Sequence, residues 1–223
     1  MTNLLFIAGS SRKQSFNKQL ANAALKTVQQ SPGATNITTR YIDLAHFDIP
    51  LYNGDLEDEF GIPADALRLA AIFTMQDGIF IASPEYNGVY SALLKNTIDW
   101  MFRAIGHHIG DDIGDDNAYD KGDDIEPFKD KVICLAAAST LDGGGARGLI
   151  QLRTLMGYMH SHVIPNQFTL GNADQAFNAN GNITDQTKQA CLEQVLGQFV
   201  ATTTALSGSE LDQNLAQTTL AYL

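Results

Sequence analysis

Positive charge is scarce in this chain: 14 lysines and arginines stand against 25 aspartates and glutamates, a formal net charge of -11. Binding to DNA, RNA or an anionic leaflet needs clustered Lys and Arg to displace counterions, so nucleic acid and membrane partners are excluded on charge. Long apolar runs are missing too. The longest, such as "VICLAAA" at 132–138, have about 7 residues where a membrane span needs about 20. The opening "MTNLLFIAG" has neither a basic region nor a small-residue cleavage site, so export is not expected. Cysteine is nearly absent. Cys134 and Cys191 lie in unlike contexts, without C-x-x-C or a matching His spacing, which excludes a disulfide framework and a thiolate metal site and fits two thiols in a reducing cytoplasm.

What remains is a chain of 223 residues, 44% hydrophobic, enough for one sizeable core and near the upper end for a single domain over 1–223. "NLLFIAG" (3–9), "GIFIAS" (78–83) and "KVICLAAAS" (131–139) are short apolar runs, each ending in a loop, as strands buried on both faces read. "NITTRYIDL" (36–44) alternates like a strand, and "HVIPNQFTL" is a weaker fifth. Helical spacing follows Ser15, Pro63, Ser91 and Ala146, and again from Thr184, the expected N-cap of a C-terminal extension. "AHFDIPLYNGDLEDEFGIP" is read as loop. Strand, loop and helix in alternation predict an α/β three-layer sandwich: a five-stranded parallel sheet in the flavodoxin-like order 2-1-3-4-5, with helices on both faces. In that order the ligand crevice lies outside the carboxyl ends of strands 1 and 3.

Three unusual loops fall at strand ends. "GSSRKQSFN" (9–17) sets Ser10, Ser11, Arg12, Ser15 and Asn17 before a helix, whose free N–H groups and partial positive charge suit an anion. It lacks the glycines and the terminal Lys-Ser/Thr of a Walker loop and the G-x-G-x-x-G of a dinucleotide fold, so a phosphate monoester held without a metal fits it better than a nucleoside triphosphate. Plain helix capping by Ser and Asn explains the same residues equally well. "SPEYNG" (83–88) is either an ordinary β–α turn or a wall where Pro84 stiffens the chain and Gly88 admits a flat ring. "STLDGGGARG" (139–148) has three consecutive glycines, which suit a close approach to a ligand or a flexible hinge.

These segments together resemble the NAD(P)H-dependent FMN reductases of the flavodoxin-like superfamily, with quinone, azo-dye and chromate reductases among them. "GSSRKQSFNKQLA", "DIPLYNGDLE", "SPEYNGVYSALLKNTIDW" and "AASTLDGGGARGLIQLR" follow the family's order and spacing over residues 3 to about 165. The resemblance implies FMN as cofactor and NADPH or NADH as reductant. It places Ser10, Arg12, Ser15, Phe16 and Asn17 on the FMN phosphate, and Pro84, Glu85, Tyr86, Asn87 and Gly88 beside the isoalloxazine. Ser139, Gly143 and Gly144 fall on ring or ribityl contacts. Arg147 opens the next helix, an unfavourable end for a cation, so it is expected to serve an anion such as the nucleotide's phosphates. The resemblance further implies a small-molecule electron acceptor, a homodimer or tetramer, and no catalytic side chain, since the flavin carries the chemistry. Gly88→Val is expected to lose FMN, and Glu85→Gln to matter much less.

The acidic stretch at about 106–128, "GHHIGDDIGDDNAYDKGDDIEPF", exceeds the family pattern. No register in it gives a calcium loop, and His107 and His108 lack the spacing to face one ion, so it reads as a solvated insertion and not a metal site. It follows a helix that runs back from the ligand edge, which puts it at the opposite edge. Asp55 and Glu57 are expected to be solvated, Lys95 and Asp99 to pair at i, i+4, and Trp100 to be core or interface. A second function stays open: a flavodoxin-like carrier that binds FMN without oxidising pyridine nucleotide, its acidic surface suited to a basic partner. A receiver domain is excluded because Ser83 and Pro84 stand where the phosphoacceptor aspartate belongs.

Overall fold

The computed structural model describes residues 1–107 and 125–207. Its elements are β1 (Thr2–Ala8), α1 (Phe16–Gln29), β2 (Ile37–Asp43), α2 (Gly54–Phe60), α3 (Ala64–Thr74), β3 (Gly78–Ala82) and α4 (Ala92–Arg103). They continue with β4 (Val132–Ala138), α5 (Ala146–Tyr158), β5 (His162–Val163), β6 (Phe168–Leu170) and α6 (Gln186–Ser207). Every strand pairing is parallel, in the order β2-β1-β3-β4-β5, as the alternation of elements predicts.

The period of two along each strand sorts its side chains into two cores. Leu5, Ile7, Ile79, Ile81, Ile133 and Leu135 point to the face covered by α3, α4 and α5. Leu4, Phe6, Phe80, Val132 and Cys134 point to the face covered by α1 and α6. On that second face the rings of Phe6 and Phe80 lie 5.5 Å apart, and Phe199 of α6 meets Phe6 edge-on at 6.4 Å. Phe199 is fully buried, and its truncation to Ala would cost about 3–5 kcal/mol. Burial also pushes the Cys134 thiol up from its ordinary value, so it packs as a small hydrophobe and offers no thiolate.

Three elements differ from the sequence expectation. The fifth strand is interrupted: β5 pairs with Val132–Ile133 and β6 with Ala136–Ala138, a gap opening between them around Pro165. The Arg153 guanidinium fills the gap, donating to the carbonyls of Ile164 at 2.8 Å and Pro165 at 3.1 Å. A short helix, α2, forms inside the segment read as loop. The side chain of Asn53 caps it by accepting from the Asp55 N–H at 2.9 Å, two acidic residues sit in its first turn, and Gly61 ends it at φ 74°. The cap of α6 is not Thr184, whose hydroxyl donates to the Ala176 carbonyl. Asp185 accepts instead from the N–H groups of Thr187 and Lys188.

The acidic segment 108–124 lies outside the described residues, but its stems are fixed. The Gly106 N–H donates to the Ile125 carbonyl at 3.3 Å, and the Ile125 N–H to the His107 carbonyl at 2.8 Å. Both stems sit beside the end of α4 and the start of β4, at the sheet edge opposite the carboxyl ends of the strands. Because residues 107 and 125 are already hydrogen-bonded, joining them through a short linker in place of 108–124 should leave bound flavin per chain unchanged on the absorbance spectrum. A flavin-free product would overturn that placement.

Candidate functional site

The carboxyl ends of β1, β3 and β4 lie at the same end of the sheet, and three polar side chains tie together the segments that leave them. Asn17, in the first turn of α1, reaches the end of β4: its amide donates to the Ala138 carbonyl and accepts from the Ala138 N–H, both at 2.9 Å. Ser91 caps α4 by accepting from the Leu94 N–H at 3.2 Å, while its own hydroxyl donates to the Gly9 carbonyl at 2.6 Å. Glu85 spans from the end of β3 to the start of α5, where it accepts from the N–H groups of Arg147 and Gly148 at 3.1 and 3.2 Å. A Ser before a helical run is a legible cap; the second bond of Ser91 and the reach of Asn17 and Glu85 are not, since they cross 82, 121 and 62 residues of sequence.

The first loop carries the expected anion groups. Ser15 caps α1, accepting from the Lys18 N–H at 3.4 Å, and Ser10 accepts from the Arg12 N–H at 3.4 Å. The Arg12 guanidinium stands 5.1 Å over the Phe16 ring, which holds a long cation at the mouth of the helix. The N–H groups of Phe16 and Asn17 begin the helix and have no carbonyl of their own helix to meet. Asn17 therefore divides its work: its side chain is spent on β4, and its backbone faces the helix mouth.

Residues 86–89 form a two-residue hairpin turn. The Tyr86 N–H donates to the Val89 carbonyl at 2.8 Å and the Val89 N–H returns to Tyr86 at 3.2 Å. Asn87 and Gly88 occupy the centre at φ 53° and 87°, the pattern of a type I′ turn and its Asn-Gly preference. Gly88 thus has a conformational reason to be glycine before any ligand is considered. The glycine loop divides likewise. An ideal Cβ on Gly144, at φ 60°, would stand 2.8 Å from the Leu170 N and 3.0 Å from the Gly171 N, whereas one on Gly143 meets nothing within 4 Å. The close approach at Gly144 is to the chain's own β6, and only Gly143 faces open space. Ser139 accepts from the Leu141 N–H at 3.2 Å. A cavity of about 290 Å³ opens here between Glu85, Ser139, Leu141 and Gly143–Arg147. A larger one, about 470 Å³, lies at the far edge between the last turn of α1 and α6, lined by Val28, Leu196 and Val200, and has no cation to hold a phosphate.

Three expectations need correction. Arg147 is not a free anion receptor: its guanidinium contacts the Glu85 carboxylate at 2.7 Å. Glu85, whose side chain is only 11% exposed, is a structural hub, so its substitution is no minor change. Glu57 is not simply solvated either. It accepts from Arg103 at 2.7 Å and from the Tyr52 hydroxyl at 3.0 Å. That network, with the Trp100 indole N–H and the Asn96 amide both donating to the Pro50 carbonyl at 2.9 and 2.8 Å, anchors the β2–α2 loop on α4. Lys95 and Asp99 do pair, at 2.5 Å.

Residues 2–175 match the family model described as NADPH-dependent FMN reductase. The chain is 32% identical to an NADPH:quinone oxidoreductase of Arabidopsis thaliana, covering 91% of this chain and 92% of that protein. It is 29% identical to a quinone reductase of Escherichia coli K12, over 87% and 90% respectively. Among solved structures, a flavoenzyme NAD(P)H:(acceptor) oxidoreductase from Paracoccus denitrificans superposes with a TM-score of 0.68 at 22% identity, over 92% of this chain and 98% of that one; this likeness is one of fold.

Two predictions arise from the geometry. Gly88→Val should destabilise the flavin-free protein by about 1–3 kcal/mol by forcing a β-branched residue to positive φ, whereas Gly88→Asn should keep the turn; thermal melts compare them. The hydrogen bond from Arg103 holds the Glu57 carboxyl below its ordinary value of 4.5, so its contribution is complete above that value and is lost as pH falls through the lowered one. Trp100, the sole tryptophan, meets Tyr52 edge-on at 5.0 Å and reports the event. Its emission in the flavin-free protein should change in acid below pH 4.5, and Glu57→Gln should remove that component.

Proposed function

The chain belongs to the NADPH-dependent FMN reductase family, and on that premise we propose that it is a quinone reductase whose flavin sits in the crevice at the ends of β1, β3 and β4. It is an oxidoreductase that uses FMN and takes NAD(P)H as reductant. Quinones are the acceptor class that the names of its plant and bacterial relatives support.

The crevice fits this cofactor on its own terms. Ser10, Ser15, Arg12 and the N–H groups of Phe16 and Asn17 form a cationic, donor-rich helix mouth for a dianionic monoester. The turn bonds of residues 86–89 use the N–H groups of Tyr86 and Val89. Among the described residues the N–H groups of Asn87 and Gly88 meet no hydrogen-bond partner, and they would serve as donors to the polar edge of the ring. An ideal Cβ on Gly88 or Gly143 meets nothing within 4 Å, so the backbone at both points has room for a flat ligand. Pro84 and Glu85 would fix the wall, Tyr86 would present an aromatic surface, and Ser139 and Gly143 would border the ribityl chain, with Gly144 holding that loop to β6.

Bound FMN would supply the hydride and electron transfer between NAD(P)H and the acceptor. The chain's own part is to hold the phosphate, orient the ring, supply backbone donors where negative charge grows, and keep water off one face. The observation that carries the reading is the Ser91 hydroxyl on the Gly9 carbonyl, which binds the anion loop and the turn-bearing loop into one margin. The carrier alternative is not favoured, because the relatives are named as reductases.

We assign the active form to a cytoplasmic homodimer. Supporting this, the two cysteines are free, no helix among the described residues is long and apolar enough to cross a membrane, and Phe102, Ile150 and Tyr158 are exposed on α4 and α5. The purified protein should be yellow, bleach under NADPH or NADH without oxygen, and regain its colour with one equivalent of benzoquinone. Bound FMN that neither nucleotide reduces would overturn the enzyme reading, and sedimentation at the monomer mass would overturn the dimer.

A further inference from the structure

We propose that Glu85 is a positioning residue for the cofactor, setting the width of the crevice by capping α5 from across it. The inference rests on the crevice being the FMN site.

Helix α5 begins badly by itself. Gly145 precedes it at φ 90° with no side-chain cap, and Arg147 puts a cation at the helix end that disfavours one. Helices α1, α2 and α4 are capped by the residue just before them, Ser15, Asn53 and Ser91. In α5 that role falls to a carboxylate 62 residues earlier. Glu85 Oε2 accepts from the N–H groups of Arg147 and Gly148, and Oε1 takes the Arg147 Nε at 2.9 Å and Nη2 at 2.7 Å. One side chain thus cures both defects.

The contact is also close. An ideal Cβ on Gly148 would stand 3.3 Å from the Glu85 Cβ and 3.1 Å from the Val89 carbonyl oxygen. A side chain at position 148 would press on the wall that Glu85 holds. Each wall keeps a tether of its own, from the Ser83 N–H to the Ala136 carbonyl and from the Ser139 N–H to the Leu170 carbonyl. Loss of Glu85 therefore lets the turn at 86–89 and the glycine loop drift relative to each other without unfolding the sheet. Most of the constraint runs through the partly buried carboxylate and its backbone bonds, because the Arg147 side chain is 77% exposed and its pairing is screened.

The test is FMN titration of flavin-free protein, followed by fluorescence quenching, beside a thermal melt of each flavin-free variant. Glu85→Gln should raise the FMN Kd about tenfold, as expected when charge-assisted hydrogen bonds are lost, with a melting temperature within about 2 °C of the parent. Arg147→Met, which spares the backbone bonds, should raise it about threefold, and Arg147→Lys should recover part of that loss. The double variant should be no worse than Glu85→Gln, since both act through one contact. A Kd within twofold of the parent for Glu85→Gln would overturn the proposal, as would a loss of affinity that tracks the melting temperature across the series. If Glu85→Gln does not fold, the Arg147 pair decides: no change with Met sinks the idea. A parent protein that binds no FMN refutes the cofactor assignment instead.

Discussion

The pair of hydrogen bonds between the Asn17 amide and the backbone of Ala138 is the contact on which the site depends. A strand that leaves a parallel sheet has an N–H and a carbonyl with no ladder partner, and in a buried position each costs about 1–3 kcal/mol if left unmet. Asn17 meets both at the end of β4 with one planar group. In doing so it pins the first turn of α1 to a strand that lies beyond β3 in the sheet, and so fixes where the helix mouth points. The loop at 9–15 is thus anchored two strands away, through the first turn of the helix it precedes.

The same logic runs round the crevice. Ser91 satisfies the Gly9 carbonyl as β1 ends, and Glu85 satisfies the first donors of α5. Each polar group therefore serves the fold with its side chain and leaves backbone groups for a ligand. This division explains how a chain can keep an open, donor-rich cleft without stranding buried polar atoms: among the described residues, no buried side-chain nitrogen or oxygen lacks a partner.

Much of this was legible in the sequence, for identifiable reasons. Strands β1, β3 and β4 are buried on both faces and read as continuous apolar runs, so strand order followed from topology alone. Capping by the serines of the first loop was one of two readings the sequence offered, because capping is local, and Ser91 marked the start of its helix. What escaped was non-local or locally ambiguous. The partners of Glu85, Arg147 and Asn17 lie far away in sequence, and a carboxylate bonded to a distant helix looks like any other surface acid. Helix α2 was hidden by the Gly and Asp content of its first turn, although Asn53 and its acidic turn are a valid start signal. The break between β5 and β6 was marked by Pro165, but its stability depends on Arg153 reaching over from α5.

That break has a consequence for the molecule among its neighbours. A sheet's outermost strand normally displays a row of unpaired backbone groups onto which another chain can add, the first step of edge-to-edge aggregation. On this side the row is cut into two pieces, of 2 and 3 residues, and the carbonyls between them are already taken by Arg153. An incoming strand finds no uninterrupted register to copy, so the irregular fifth strand gives this open sheet a built-in stop against polymerisation.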